Sequence, residues 1–144
     1  MSDMLAAVLT SQLGRASEIT QQRLALYNRY ASELQDWATK HHVVTPEVPA
    51  DCKHTAHMFH LRFEHAHHRD AFINHLAQHQ ILAVFHYQSL HLSKVGLQLG
   101  GRPGQCPVTE HASECLVRLP LFNTLTESEQ TQVIDAVTSF SPAL

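Results

Sequence analysis

The sequence predicts an α+β fold: a small, mostly antiparallel or mixed sheet covered by helices, with a long helix toward the N-terminus. Three observations predict it. Residues 57–63 place Phe59, Leu61 and Phe63 at every second position, the period of a strand with one buried face. Residues 65–80 then carry Phe72, Ile73 and Leu76 at helical spacing and lead into a β-favouring run over 81–87, so that strand, helix and strand follow one another as in a split or crossover βαβ unit. From Ser17 onward, Ile19, Leu26, Tyr30, Leu34 and Trp37 form an apolar stripe, with Gln, Arg and Glu filling the opposite face.

In chain order, Ser2 or Asp3 caps a first helix holding Met4, Leu5, Ala7, Val8 and Leu9. It is apolar around much of its circumference, a pattern that by itself predicts burial on more than one side. Gly14 weakens it. The second helix is expected to run from Ser17 to near Lys40, whose charge suits a helix C-terminus. Pro46 and Pro49 make 45–53 an extended connector. Gly96, Gly100, Gly101, Pro103 and Gly104 make 92–107 read as a mobile loop. Thr109 is expected to cap a short helix reaching Leu116, and 118–121 to form a brief strand stopped by Pro120. Thr126 and Glu129 make a capping box, followed by Val133, Ile134 and Val137 on one face of the last helix.

The chain's 144 residues suit one domain, and a chain of that size typically buries about 68–70% of its extended surface. With 44% hydrophobic and 16% charged residues, extensive disorder is not expected. The net charge of −3 and the lack of any Lys/Arg run argue against nucleic-acid binding, which needs a basic stripe to neutralise phosphates. Three cysteines, Cys52, Cys106 and Cys115, are odd in number and have no C-x-x-C spacing, so they read as free thiols of a reducing compartment. The N-terminus has no basic region ahead of its apolar part, and no apolar run approaches the roughly 18–20 residues of a membrane span. A soluble, cytoplasmic protein without a membrane partner is expected.

Thirteen histidines are the compositional oddity. If many are exposed, the net charge turns positive as pH falls through their ordinary pKa of about 6.5. His75 and His79 stand at i, i+4, which is ligand spacing on a helix, and His65, His67 and His68 precede them. No Cys, Asp or Glu stands at motif spacing to complete a set, so a metal- or ligand-binding module built on His75 and His79 is the weaker alternative. The cysteines have no nucleophile context. Pro103 stands where a phosphate-cradling loop would need an N–H donor. The run over 81–91 is more informative, because a β-favouring stretch there delivers His86, Tyr87 and His91 into a loop.

The ordered set His57-Met58-Phe59, Arg69-Asp70-Ala71, Ile81-Leu82-Ala83-Val84-Phe85-His86-Tyr87, Leu90-His91, Cys106-Pro107-Val108-Thr109-Glu110, Leu119-Pro120-Leu121-Phe122 and Leu125-Thr126 resembles the C-terminal part of the DegT/DnrJ/EryC1/StrS sugar aminotransferases. Upstream, Met1-Ser2-Asp3, Ala6-Ala7, Gln12-Leu13, Arg23 and Tyr30 resemble the segment that joins that family's large and small domains. The resemblance covers essentially the whole chain.

It implies the small domain of a type I pyridoxal-phosphate (PLP) aminotransferase fold, with interdomain-type helices over 1–40 and the small domain over 41–144. The PLP-binding large domain, with its Schiff-base lysine, would lie before the point where this chain starts. The full-length family moves an amino group from glutamate to a keto-sugar nucleotide such as a dTDP-4-keto-6-deoxyhexose. Lys40, Lys53 and Lys94 match no cofactor-lysine context, so no catalytic or cofactor-binding residue is expected here, and no transamination by the chain alone. His86, Tyr87 and His91 become the substrate-binding candidates. Met4, Leu5, Val8 and Leu9 would face the large domain, or a second copy of the chain in its absence. A separately encoded large domain that completes the enzyme is a further possibility. Ser89 stands where the family commonly has proline, and Cys115 where it often has arginine.

Overall fold

Three strands, β1 (Phe59–Arg62), β2 (Val84–Phe85) and β3 (Leu116–Leu119), form a single sheet in the computed structural model, which describes residues 2–142. Met1, the first residue of the segment that resembles the family, lies outside them, as do residues 143 and 144. β3 occupies the middle of the sheet and pairs antiparallel with both neighbours. Phe59 faces Leu119, Leu61 faces Val117, and His60 and Val84 flank Arg118 on either side. β1 and β2 therefore run parallel with β3 inserted between them. This is the split βαβ arrangement, with helix α4 (Ala66–Gln78) as its crossover. At the end of β1, Arg62 exchanges two backbone hydrogen bonds of 2.9 Å with Val44, which lies outside the strands.

One face of the sheet is packed. Phe59, Leu61, Val117 and Leu119 meet Tyr30, Leu34, Trp37, Phe72 and Leu76 in one apolar cluster. Around the sheet the chain builds α1 (Asp3–Gly14), α2 (Ala16–Glu33), α3 (Gln35–Lys40), α5 (Lys94–Gln98), α6 (Pro107–Cys115) and α7 (Glu127–Ser139). Three polar side chains of this core find backbone carbonyl partners. The Tyr30 hydroxyl donates to the Pro120 carbonyl at 2.9 Å, the Trp37 indole to that of Phe140 at 2.8 Å, and the Gln130 amide to that of Leu26 at 2.7 Å. The expected capping box is present on α7, where Thr126 and Glu129 satisfy each other's backbone N–H groups.

Several expectations need correction. The single helix from Ser17 to Lys40 is two helices meeting at Leu34, a break that accompanies the burial of Leu34 and the buried bond from Trp37. α1 is not buried on more than one side; it has no buried residue, and Met4 is 81% exposed, because only α2 packs on it closely. The strand over 81–87 shrinks to two residues. Its register keeps Ala83 in the core but leaves Leu82 80% and Phe85 52% exposed at the sheet edge. Thr109 lies inside α6, which starts two residues earlier because Pro107 supplies the helical φ of a first position.

The segment over 92–107 is also no featureless loop. Ser93 caps α5 through the Gly96 amide at 3.0 Å, and Gly100 (φ +94°) closes that helix, with the Gly101 amide reaching back to the Gly96 carbonyl at 2.9 Å. A Cβ at Gly96 or Gly101 would collide with the carbonyls of residues 90 and 91, so both glycines permit a close packing of chain on chain.

The burial of Leu61 opposite Val117 gives a direct test. Leu61→Ala should lower unfolding free energy by about 2–5 kcal/mol, whereas Gln21→Ala on the exposed side of α2 should leave it within about 0.5 kcal/mol. Urea denaturation followed by circular dichroism measures both.

Candidate functional site

The open face of the sheet and the loop beyond β2 bring the polar residues together. Strand alternation turns His60 and Arg62 of β1 and Arg118 of β3 away from the core, all half-exposed. After β2 the chain leaves the sheet, and the His86 ring lies against that of Tyr87, centroids 4.1 Å apart and planes tilted by 37°. The Arg118 guanidinium carbon lies over the Tyr87 ring, 5.2 Å from its centroid. Ser113 of α6 donates to the Tyr87 carbonyl, fixing the backbone there while the Tyr87 ring stays 61% exposed. His86, Tyr87 and Arg118 thus form one cluster at the end of the sheet.

The electrostatics of this cluster are one-sided. Burial lowers the His86 pKa, and the charges of Arg118 and His57 push the same way. Burial likewise lowers that of His60, reinforced by His86 and Arg62. Both imidazoles are therefore neutral at pH 7. Among the described residues, ion pairs join Arg15 to Glu18, Arg29 to Glu33, Arg69 to Asp70 and His91 to Glu110; none engages Arg62 or Arg118. The Arg118 Nε and the His86 Nδ1 are both buried without a hydrogen-bond partner.

His91 is held differently. It sits in a 3₁₀ turn (Leu90–Leu92), where its Nε2 lies 2.8 Å from the Glu110 carboxylate. The same carboxylate accepts the Gly104 amide at 2.9 Å and the Cys106 amide at 3.1 Å. These bonds, the Gly104 amide foremost and then His91, hold the Glu110 carboxyl below the usual carboxylate range. The structure thus joins His86 to Tyr87 directly and gives His91 a clamp of its own on α6. Ser89 between them has φ −56°, the value that proline would impose, and its buried hydroxyl donates to the Thr109 carbonyl at 3.4 Å.

Sequence reasoning missed Arg118 and His60. Their signal was a charged or polar residue at the out-facing position of a short apolar strand. For the weaker metal reading, the His75 Nε2 meets the Ala136 carbonyl at 2.9 Å and the Ser139 hydroxyl at 3.2 Å, and the His79 ring stands 4.7 Å from that of His75. Among the described residues no three His, Cys, Asp or Glu are arranged to hold a metal ion. Cys115 lies 3.8 Å from the His111 Nδ1, but burial pushes its thiol up, away from the thiolate that a nucleophile needs. Lys40, Lys53 and Lys94 are all exposed, unlike the desolvated amine on which imine chemistry depends.

This fold recurs in solved aminotransferases. Over 96% of its length the chain superposes on S. venezuelae DesV, solved in complex with a ketimine intermediate, with a TM-score of 0.86 and 29% identity, covering 36% of that chain. It superposes with a TM-score of 0.73 and 27% identity on ntda from Bacillus subtilis with bound cofactor PMP, over 84% of this chain and 28% of that one. A curated relative, the pleiotropic regulatory protein of Geobacillus stearothermophilus, is 30% identical over 141 residues, which are 97% of this chain and 37% of the relative. An α+β domain of the kind found in these aminotransferases is thus the class that the fold defines. More particularly, the chain belongs to the DegT/DnrJ/EryC1/StrS aminotransferase family, whose model matches residues 1–138. It spans about a third of the length of the relatives it matches. No helix among the described residues is long and apolar enough to cross a membrane.

The Glu110 clamp carries a pH dependence. A carboxyl whose folded pKa is depressed stabilises the fold fully above its unfolded pKa, about 4.3, and loses that contribution as pH falls through the lower folded value. Glu110→Gln should therefore lower the urea midpoint at pH 7, with the gap to the unaltered protein closing as pH is taken below about 4. Denaturation curves at pH 7, 5 and 3 check this.

Proposed function

We propose that the chain is the substrate-closing small-domain part of a PLP-dependent sugar-nucleotide aminotransferase, with helices 1–40 as its interdomain portion. The observation that carries this reading is the cluster of His86, Tyr87 and Arg118 at the open end of the sheet, in a chain matched over 1–138 by this family. His86 and the exposed Tyr87 offer hydrogen-bonding atoms and an aromatic face to a sugar, and His91, fixed by Glu110, presents its remaining edge from the adjoining turn. These residues bind and orient; in the whole family PLP supplies the electron sink for amino transfer. The substrate class is a dTDP-linked 4-keto-6-deoxyhexose, with glutamate as amino donor.

The residues of this chain do not fit PLP, since all three of its lysines are exposed. Amino transfer therefore needs a large domain outside the chain, and the exposed row Met4, Leu5, Val8 and Leu9 on α1 is the surface that packs on it. Without that domain the row pairs two copies of the chain. Three free thiols suit the cytoplasm.

Two measurements test the reading. Titration with dTDP-glucose should shift NMR signals of Tyr87 and His91, while PLP followed by borohydride should leave the chain's mass unchanged. A cofactor adduct on Lys40, Lys53 or Lys94 would overturn it. Light scattering after size exclusion should give a dimer that Leu5→Ser with Val8→Ser converts to monomer; a monomer from the unaltered chain would count against the role given to α1.

A further inference from the structure

β2 is the least anchored strand of the sheet. It meets β3 through two residue pairs, Val84 with Arg118 and Phe85 with Val117, and it buries little, since Phe85 and, just before the strand, Leu82 are exposed. The firm holds lie on either side. Upstream, Ala83 is in the core and the Ile81 amide donates to the Leu76 carbonyl at 2.9 Å. Downstream, Ser89 is buried against the Thr109 carbonyl. Between these anchors, the Tyr87 carbonyl accepts from Ser113 of α6.

The side chains gathered over this short ladder are imidazoles and guanidiniums. Register sets His60 across from Arg118 on one side and Val84 across from it on the other, with Arg62 two residues beyond His60. His86 lies within charge range of Arg118 and His57, and His60 within that of His86 and Arg62. Neighbouring carboxylates are engaged elsewhere. On α4, Asp70 pairs at 3.0 Å with Arg69, whose guanidinium carbon is 6.0 Å from the Phe85 ring centroid. On α6, Glu110 holds His91 and two backbone amides, and the charge of Glu114 acts on the Cys115 thiol. Among the described residues no carboxylate, Glu64 beyond the end of β1 included, forms an ion pair with Arg62 or Arg118.

We propose that the β2 edge is an acid-operated latch: with His60 and His86 neutral it closes on β3, and their protonation releases residues 84–88 while the β1–β3 lobe stays folded. The cluster of His86, Tyr87 and Arg118 is then assembled near neutral pH and dispersed in acid. This is a property of the fold and holds whatever the loop binds.

The charges give the direction. In the closed state, protonating both histidines adds two cations to a face that already holds Arg62 and Arg118, with His57 beside them. A protonated His86 carries hydrogen on both ring nitrogens, yet its Nδ1 is buried without a partner to accept it. Burial is the first cause that keeps each of the two pKa values low, and the neighbours add to it. A histidine that is neutral while the strand is closed takes a proton more readily once the strand is open. Acid therefore favours opening, beginning as pH falls through the ordinary imidazole value of about 6.5 and complete below the depressed value of the closed state. Opening gives up two ladder pairs and little apolar contact, whereas parting β1 from β3 exposes Phe59, Leu61, Val117 and Leu119.

Amide hydrogen exchange of the intact 144-residue chain, followed by NMR between pH 7.5 and 5.5, tests the latch. With the intrinsic pH dependence of exchange divided out, protection of the β2–β3 ladder should fall at pH 5.5 by up to about tenfold for each of the two histidines, while the β1–β3 ladder keeps its protection. Cα shifts of Val84 and Phe85 should move from strand toward coil values and return at pH 7.5. His86→Gln should remove part of the fall and His60→Gln with His86→Gln all of it, whereas His67→Gln, on the exposed start of α4, should change nothing. Protection that holds at pH 5.5, a fall shared equally by both ladders, or a fall of full size in His86→Gln would overturn the latch.

Discussion

The insertion of β3 between β1 and β2 is the constraint on which the rest depends. A strand paired on both edges cannot slip by one residue without carrying Val117 and Leu119 out of the core and Arg118 into it. Burial of Val117 and Leu119 therefore fixes the outward direction of Arg118 as firmly as it fixes the core. The same pairing brings β1 and β2, separated by the whole of α4, to either side of one arginine. His60, paired across from Arg118, and His86, just past the end of β2, become neighbours of that arginine although distant in sequence.

Two histidines of the candidate site are held by opposite means. His91 has a carboxylate partner that is itself tied to the Gly104 and Cys106 amides, so its ring position is coupled to the start of α6. The close approach of Gly96 and Gly101 to its carbonyl leaves the backbone there little freedom. His86 has neighbours that repel its proton and one nitrogen with no partner. One histidine is thus positioned by bonds already made, and the other retains a bond still to be made. In a binding surface the first kind sets geometry and the second responds to the ligand.

Much of this architecture was legible because its signals are local. Phe59, Leu61 and Phe63 alternate as a one-sided strand must, Phe72 and Leu76 lie one helical turn apart, and Thr126 with Glu129 marks the start of α7 within four residues. The ordered motifs around His86, Tyr87 and His91 were enough to indicate the family. What was not legible depends on distant partners. Nothing near Leu34 announces a helix break, since the gain is a hydrogen bond from Trp37 to Phe140. α3 and α4 close on His42 (φ 54°) and Gln80 (φ 60°), left-handed positions where glycine would have given the signal. The glycines over 92–107 were misread as freedom, because the carbonyl of His91 that they pack against is invisible to local pattern. Arg118 was passed over because a brief strand at the end of a motif reads as an edge, whereas pairing makes it the centre.

α1 follows a different logic. The apolar cluster closes without it: Tyr27, Tyr30 and Leu34 from the next turns of chain already cover the sheet, and α1 adds no buried residue. Its own support is local, a Ser2 cap on the Leu5 amide at 3.4 Å and the Thr10 hydroxyl donating to the Ala6 carbonyl at 2.8 Å. A helix of 12 residues is marginal in water on local terms alone, and tertiary packing of an apolar face is what ordinarily stabilises it. Met4, Leu5 and Val8 supply that face and leave it bare. The lobe around β3 is thus energetically complete, whereas α1 lacks the packing partner that its sequence is built to meet. That difference divides the chain more sharply than any loop does, into a self-sufficient lobe around β3 and a helix that adds nothing to its core.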